Sequence, residues 1–435
     1  MLDLRRLAFV FFLAPALFTA GARAAQVTEV ADAIDGADPF DANLELKFDI
    51  TRDSGTLARE SFQPPEDEPT GAPRAVEVKE MTFDHVRLRL MPRLEVGIFH
   101  DLAVFARWPI VILDQTSFRY ADGTDQGNST LGRDQDPEAS PAVDGWAEDT
   151  GAGNDSQRVQ DGKYGFPGKR YNAWRFNHGD QGSFAGYRQG LDNPTFGVRF
   201  SPVSNERDGT KPTITLQADY TAPLFLFMDP TDDAITQEDP GPVADGAHRF
   251  HFSVAMSKRF LILDPYLVVD YQVPVAAQSG GSLTGYAPRH EGGVQAGVEI
   301  IPYEDVASQQ RFAINVSSFL TYFSEGRDYS VISDAVREQT YSDQWVRAGM
   351  SAGVFFRVFE YFFLDATGTI AYDSEHLLTI EDFGNDGPDD GIQIDLATIS
   401  ERNPHYNPAL DTIGRRLLVE QALHLGALVH AGLTF

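Results

Sequence analysis

The chain has 435 residues, no cysteine and a formal net charge of −29. Without cysteine no disulfide can brace it, so it needs a large hydrogen-bonded framework or an ordinary core. So acidic a chain repels phosphate backbones, which excludes nucleic acid as a partner.

At the start of the chain, Arg5 and Arg6 precede an apolar run from Leu7 to Ala20, and Ala22-Arg23-Ala24-Ala25 supplies small residues for cleavage. Residues 1–25 read as a secretory signal peptide, too short for a transmembrane helix and wrongly flanked for one. Cleavage is expected near Ala25. No later stretch reaches eighteen consecutive apolar residues. Residues 26–41 form a periplasmic N-terminal extension, carrying Asp32, Asp35, Asp38 and Asp41. It either plugs the downstream domain or stays disordered, and its acidity and shortness favour disorder.

About twelve strands are predicted, near 43–52, 81–98, 101–113, 194–203, 211–224, 247–258, 264–274, 291–301, 310–323, 344–357, 360–373 and 420–435. Those near 43–52, 81–98, 211–224, 344–357 and 420–435 alternate apolar and polar residues, the period of a strand. Strand one sets Leu44, Leu46, Phe48 and Ile50 against Glu45, Lys47 and Asp49. The tenth sets Val346, Ala348, Met350, Ala352 and Val354 against Arg347, Gly349, Ser351, Gly353 and Arg357. A short helix near 408–419 fits weakly. Links after even strands are short and links after odd strands are long, the 3–4 link running from about 114 to 193. The acids gather in these long links, at 229–246 and 381–395.

The chain closes on Leu423, Leu425, Ala427, Val429, Ala431, Leu433 and Phe435 in every second place. This ending resembles the C-terminal strand of Gram-negative outer-membrane β-barrels, and with the leader and loop parity the chain resembles porin-like barrels generally, including channels for aromatic-compound uptake. The resemblance implies an all-β fold, a single transmembrane antiparallel up-and-down barrel over 42–435. It implies outer-membrane lipid as surroundings and recognition by the barrel-assembly machinery through the last strand, with Leu433 and Phe435 as the signal. Apolar faces should meet lipid and charged faces a wet lumen, because only closed barrels satisfy every backbone group in hydrocarbon. Aromatic girdles are expected from Phe99, Phe260, Tyr303, Phe359, Tyr361, Phe362 and Phe435 at the periplasmic rim, and from Tyr271, Tyr322, Trp345 and Tyr372 at the outer one.

The lumen is the first candidate site. Its predicted basic residues are Lys47, Arg87, Arg89, Arg93, Arg107, Arg199, Arg249, Arg347 and Arg357; Glu45, Asp49, Glu95, Asp219, Asp270, Glu299, Asp365 and Asp373 face them. A tight turn near Phe99 brings Arg93 beside Arg107, and like charges side by side repel unless a carboxylate or an anionic solute shares them. Two readings stay open: a stripe that sorts small polar or anionic solutes, and a network of ion pairs bracing the wall. The 114–193 loop, with Trp146, Trp174 and several basic residues, resembles in position and length the loop that narrows general porins. Asp382, Asn385, Asp386, Asp389 and Asp390 lack the full calcium-loop pattern and read as solvated acids.

No cofactor and no metal cluster is implied. His251-Phe-Ser253 is the pair to test against an outer-membrane phospholipase, also a twelve-stranded barrel. That family follows it with Asn-Gly where this chain has Val254-Ala255, and the pair is predicted to face inward, so no catalytic residue is assigned. A passive channel is the leading function; a non-conducting barrel that displays acidic loops is the alternative.

Overall fold

The computed structural model describes residues 25–31, 33, 41–63, 74–125, 128–131, 175, 184–205, 207–232, 235–277, 285–305, 307–359, 361–384, 403–407 and 409–435. They form one closed antiparallel barrel of twelve strands. In order these are β1 (Ala42–Gln63), β2 (Arg74–Phe99), β3 (Leu102–Arg107 continuing as Ile110–Tyr120), β4 (Phe184–Leu191 continuing as Thr195–Val203), β5 (Thr213–Thr221) and β6 (Ala247–Ser257). β7 (Leu263–Ala276), β8 (Glu291–Asp305), β9 (Gln310–Phe323), β10 (Trp345–Phe359), β11 (Phe362–Asp373) and β12 (Leu417–Thr434) complete the wall.

β3 breaks at Trp108-Pro109 and β4 at Asp192–Pro194, where prolines cannot donate to the ladder. The chain bridges the gap with Trp108 N–H to Pro92 O and Asp192 N–H to Pro109 O, both 3.0 Å.

β12 closes the sheet against β1, from Asn43 opposite Thr434 to Arg59 opposite Leu417. Phe435 completes the seam: its N–H donates to Ala42 O at 2.9 Å, and Ala42 N–H returns a bond to Phe435 O at 3.0 Å. No strand edge is left along this seam for another chain to pair with.

The faces sort as the alternation predicts. Along β1, Leu44, Leu46, Phe48 and Ile50 are exposed on the outside, while Glu45 and Asp49 are buried. The outward set continues around the wall through Phe196, Phe252, Val269, Leu320, Met350, Ile370 and Val429. This apolar belt cannot face water without a large cost, and it matches the lipid-facing band of a transmembrane barrel. All seven predicted periplasmic-rim aromatics are exposed, as are Tyr271, Tyr322 and Tyr372 at the other rim. Trp345 departs from the girdle: it stacks between Phe323 and His376, with ring centroids 3.9 and 4.9 Å away.

The turns confirm the parity of the loops. His100-Asp101 and 360–361 are two-residue links, and 204–212, 258–262 and 306–309 are the other links at the periplasmic end. β1 and β2 run far past the bilayer: 22 and 26 residues, against the 9–11 or so that a tilted strand needs.

The helix expected near 408–419 is absent; the described residues there are turns leading into β12. Leu410 and Leu417 are buried for another reason. They join Leu57, Met81, Phe83, Phe118, Leu131, Ile332, Ala335, Val336, Leu378 and Val419 in an apolar cluster inside the extracellular half of the barrel. The only α-helix among the described residues of the 324–344 link, Ser333–Val336, is one turn long and wholly buried in this cap. Packing of inward-folded loops, not helical periodicity, explains those leucines.

Candidate functional site

The periplasmic half of the lumen is a charged lattice built on strand register. The tight turn brings Arg93 close to Arg107 as expected, and a register shift between Gly97 and Phe99 sets the two directly opposite across β2 and β3. Arg93 is neutralised by Glu95 and by Glu45 at 3.3 Å, and its guanidinium lies 4.4 Å above the Phe105 ring. Gly197 makes room for that ring, since a Cβ there would collide with it. Glu95, almost completely buried, also faces Arg199 at 3.5 Å. Arg89 forks onto Asp49.

The outer half repeats the pattern. Arg87 meets Asp114 at 3.0 Å, Arg249 meets Asp245 at 2.5 Å and Glu291 at 3.5 Å, and Arg347 holds Asp373 through two bonds of 2.6 and 2.9 Å. At the periplasmic end, Arg357 reaches Glu29 at 3.0 Å. Bidentate guanidinium–carboxylate geometry fixes these side chains against the wall. The bracing network is therefore real.

Arg107 is different. Its Nη2 donates to Thr195 Oγ1 at 3.2 Å, its Nε has no partner, and among the described residues no carboxylate lies within ion-pair distance. This half-buried guanidinium faces Arg93 without an ion-paired carboxylate of its own among the described residues, and the carboxylate of Asp219 acts on it only from farther away.

Histidines complete the lattice, and the sequence reading missed them as site residues. His424 sits 2.5 Å and His85 3.6 Å from Asp53, His85 also 2.8 Å from Asp114, and His430 3.2 Å from Glu45. Alternation placed each on the polar face; the carboxylate opposite each was readable only once register was known. His251 turns Nδ1 to Asp219 at 2.9 Å and Nε2 to Asp270 at 3.8 Å. Neither nitrogen serves Ser253, so the phospholipase-like arrangement does not form.

The disorder expected of the 26–41 extension is overturned for residues 26–31, which with Ala25 are ordered. They lie inside the barrel. Thr28 Oγ1 bonds Ser257 Oγ at 2.9 Å, Thr215 Oγ1 donates to Thr28 O at 2.8 Å, and Arg199 Nη2 donates to Val27 O at 3.1 Å. Ala31 N–H donates to Glu95 at 3.2 Å and Gln26 N–H to Glu299 at 2.9 Å. Glu29 is the one acid of this stretch and meets Arg357, whereas Asp32, Asp35 and Asp38 lie outside the described residues. A cavity of about 580 Å³ remains beside it, lined by Lys47, Arg93, Arg199 and Arg357.

Above the lattice, arginines pin the cap. Arg188 donates to Asp334 at 2.6 and 2.9 Å, to Tyr329 Oη at 2.7 Å and to Pro242 O at 2.9 Å. Burial and the Asp334 carboxylate raise the Tyr329 hydroxyl above its usual range, so it stays a donor. Arg59 donates to Ala409 O at 2.7 Å, Arg415 O at 2.9 Å and Thr130 Oγ1 at 3.1 Å. A second cavity, of about 270 Å³, lies beneath this cap between His85, Arg87, Arg347 and Trp345. The 114–193 loop, including Trp146 and Trp174, falls mostly outside the described residues. Of its described part, Leu131 joins the cap and Arg175 N–H donates to Ala335 O at 2.7 Å. The described residues of the links 324–344 and 374–416 fill the cap, which the sequence reading did not foresee. Asp382 is described; Asn385, Asp386, Asp389 and Asp390 lie outside the described residues.

No family model matches the chain, and the search among curated proteins gives no match. Similar solved structures include an outer membrane channel from Pseudomonas putida F1, at 11% identity over 92% of this chain and 100% of that one, with a TM-score of 0.41. A Pseudomonas aeruginosa FadL homologue is similar at 11% identity over 91% and 90%, TM-score 0.32. An anion-selective porin from Comamonas acidovorans is similar at 8% identity over 90% and 100%, TM-score 0.24. Likenesses this distant say nothing about what passes through this barrel.

Proposed function

We propose that this chain is an outer-membrane channel for small anionic or polar solutes, held here in a closed conformation. In this reading the leader is cleaved near Ala25, the barrel spans 42–435, and the last strand with Leu433 and Phe435 is the surface the assembly machinery recognises. Both side chains are exposed on the lipid side of the seam, where a membrane-bound partner could reach them.

The observation that carries the reading is Arg107. A structural network has no use for a guanidinium set opposite Arg93 without an ion-paired carboxylate of its own, whereas a transient anion between the two would remove the repulsion. Arg87, Arg89, Arg93, Arg199, Arg249, Arg347, Arg357 and Glu95 set the potential around it and are the other selectivity residues in this proposal. Planar-bilayer recording in a salt gradient tests it. Reversal potentials should show anion preference, and Arg107→Glu should reverse or abolish that preference without removing conductance.

One observation favours the alternative of a non-conducting display barrel: the apolar cluster and the N-terminal stretch fill opposite ends of the lumen. Silence in bilayers after both obstructions are loosened would support it.

A further inference from the structure

Asp264 at the periplasmic start of β7 is fully buried, and neither carboxylate oxygen has a hydrogen-bond partner. Directly opposite it on β8 stands Glu299, also buried. Arg311 donates to Glu299 at 2.6 Å, and Arg259 is committed to Glu304 at 2.6 Å. Two carboxylates side by side in a dry site repel, and Asp264 has no ion pair with either arginine, which act on it only from a distance.

The backbone of the N-terminal stretch faces this pair. Ala25 is fully buried with its amide directed at Asp264, and the next amide, of Gln26, donates to Glu299 at 2.9 Å. A peptide N–H offers Asp264 one neutral donor. An α-ammonium at the same atom would offer three donors and a positive charge.

We propose that signal peptide removal after Ala24 creates that ammonium, and that Asp264 and Glu299 form a built-in receptor for the mature N-terminus. It rests on the leader removal read above, not on conduction. Ala22 and Ala24 supply the small residues of the cleavage pattern. A leader-removing peptidase breaks the Ala24–Ala25 amide with water: the hydroxyl joins the Ala24 carbonyl and the proton joins the Ala25 nitrogen. The leader leaves with a carboxylate, and the amine, basic enough to be mostly protonated at neutral pH, stays in the acid pair. Processing thus locks residues 25–31 into the lumen, and an unprocessed chain has no charge with which to seat them.

N-terminal sequencing of protein purified from outer membranes should begin at Ala25; a mature chain beginning elsewhere overturns the proposal and reports on leader removal separately. The folded protein is then treated near neutral pH with an amine-acylating ester, and the N-terminal peptide is quantified by mass spectrometry against detergent-unfolded protein. Acylation of the α-amine should be slower by about tenfold or more in the fold, equivalent to about 1.4 kcal/mol. Asp264→Asn should remove most of that protection. Equal rates in folded and unfolded wild type, or undiminished protection in Asp264→Asn, would overturn it. Should Asp264→Asn not fold, Glu299→Gln is read in the same way.

Discussion

At the scale of single residues, neighbouring arginines on the same wall carry opposite consequences. Arg93 is held by Glu45, Glu95 and the Phe105 ring. Arg93→Ala takes one cation from two buried carboxylates, leaving Glu95 with Arg199 and Glu45 with His430, so a loss of about 1–3 kcal/mol is expected, measured as lower thermal or denaturant stability in detergent. Arg107→Ala removes a charge with no carboxylate beside it. Stability should stay within about 0.5 kcal/mol of wild type, while anion preference in bilayers falls. If both variants lose stability alike, Arg107 belongs to the bracing network and the selectivity reading fails. Arg188, buried against Asp334, Tyr329 and Pro242, supplies a third case. Arg188→Ala should cost about 3–5 kcal/mol locally, read as faster proteolysis within 324–344 from the extracellular side, with the barrel itself intact.

At the scale of elements, strands and turns are legible from sequence and the lumen's contents are not. Period-two alternation over β1 or β10 depends on nearest neighbours along the chain, so Leu44, Glu45 and Leu46 declare their faces unaided. The tight turn at His100-Asp101 brings Arg93 near Arg107, but the direct pairing depends on a register shift between Gly97 and Phe99 that the sequence does not announce. Contacts that join distant segments leave no such local trace. Thr28 meets Ser257 and Thr215, and Ile332 meets Leu410, through folding of loops and terminus into a space whose shape no segment encodes alone. The leucines of 408–419 were misread as a weak helix for the same reason: they are apolar because they are buried in the cap. The terminus can be tested apart from the wall that holds it. Deleting residues 26–31 empties the space beside Lys47, Arg93 and Arg199; unit conductance in bilayers should rise while heat-resistant folding on electrophoresis persists. Unchanged conductance would show that the terminus does not limit passage.

At the scale of the whole molecule, one sheet separates two solvents. Its outer face exposes Leu44, Phe252, Met350 and Val429, and its inner face buries Glu45, Glu95 and Glu299. A water-soluble chain would place those faces the other way round, and the net charge of −29 is compatible with lipid only because the acids sit in loops and lumen. Closure through β1 and β12, sealed by Ala42 and Phe435, is what lets such a sheet stand in hydrocarbon. The absence of cysteine makes the test clean. Single cysteines at each position from 44 to 50, spin-labelled in proteoliposomes, report collision with oxygen, which concentrates in lipid, and with a polar relaxing agent, which does not. Labels at 44, 46, 48 and 50 should show high oxygen and low polar-agent accessibility, and those at 45, 47 and 49 the reverse or protection from both. Polar-agent access at the Leu44, Leu46, Phe48 and Ile50 positions, with oxygen favouring 45, 47 and 49, would contradict a lipid-facing apolar wall.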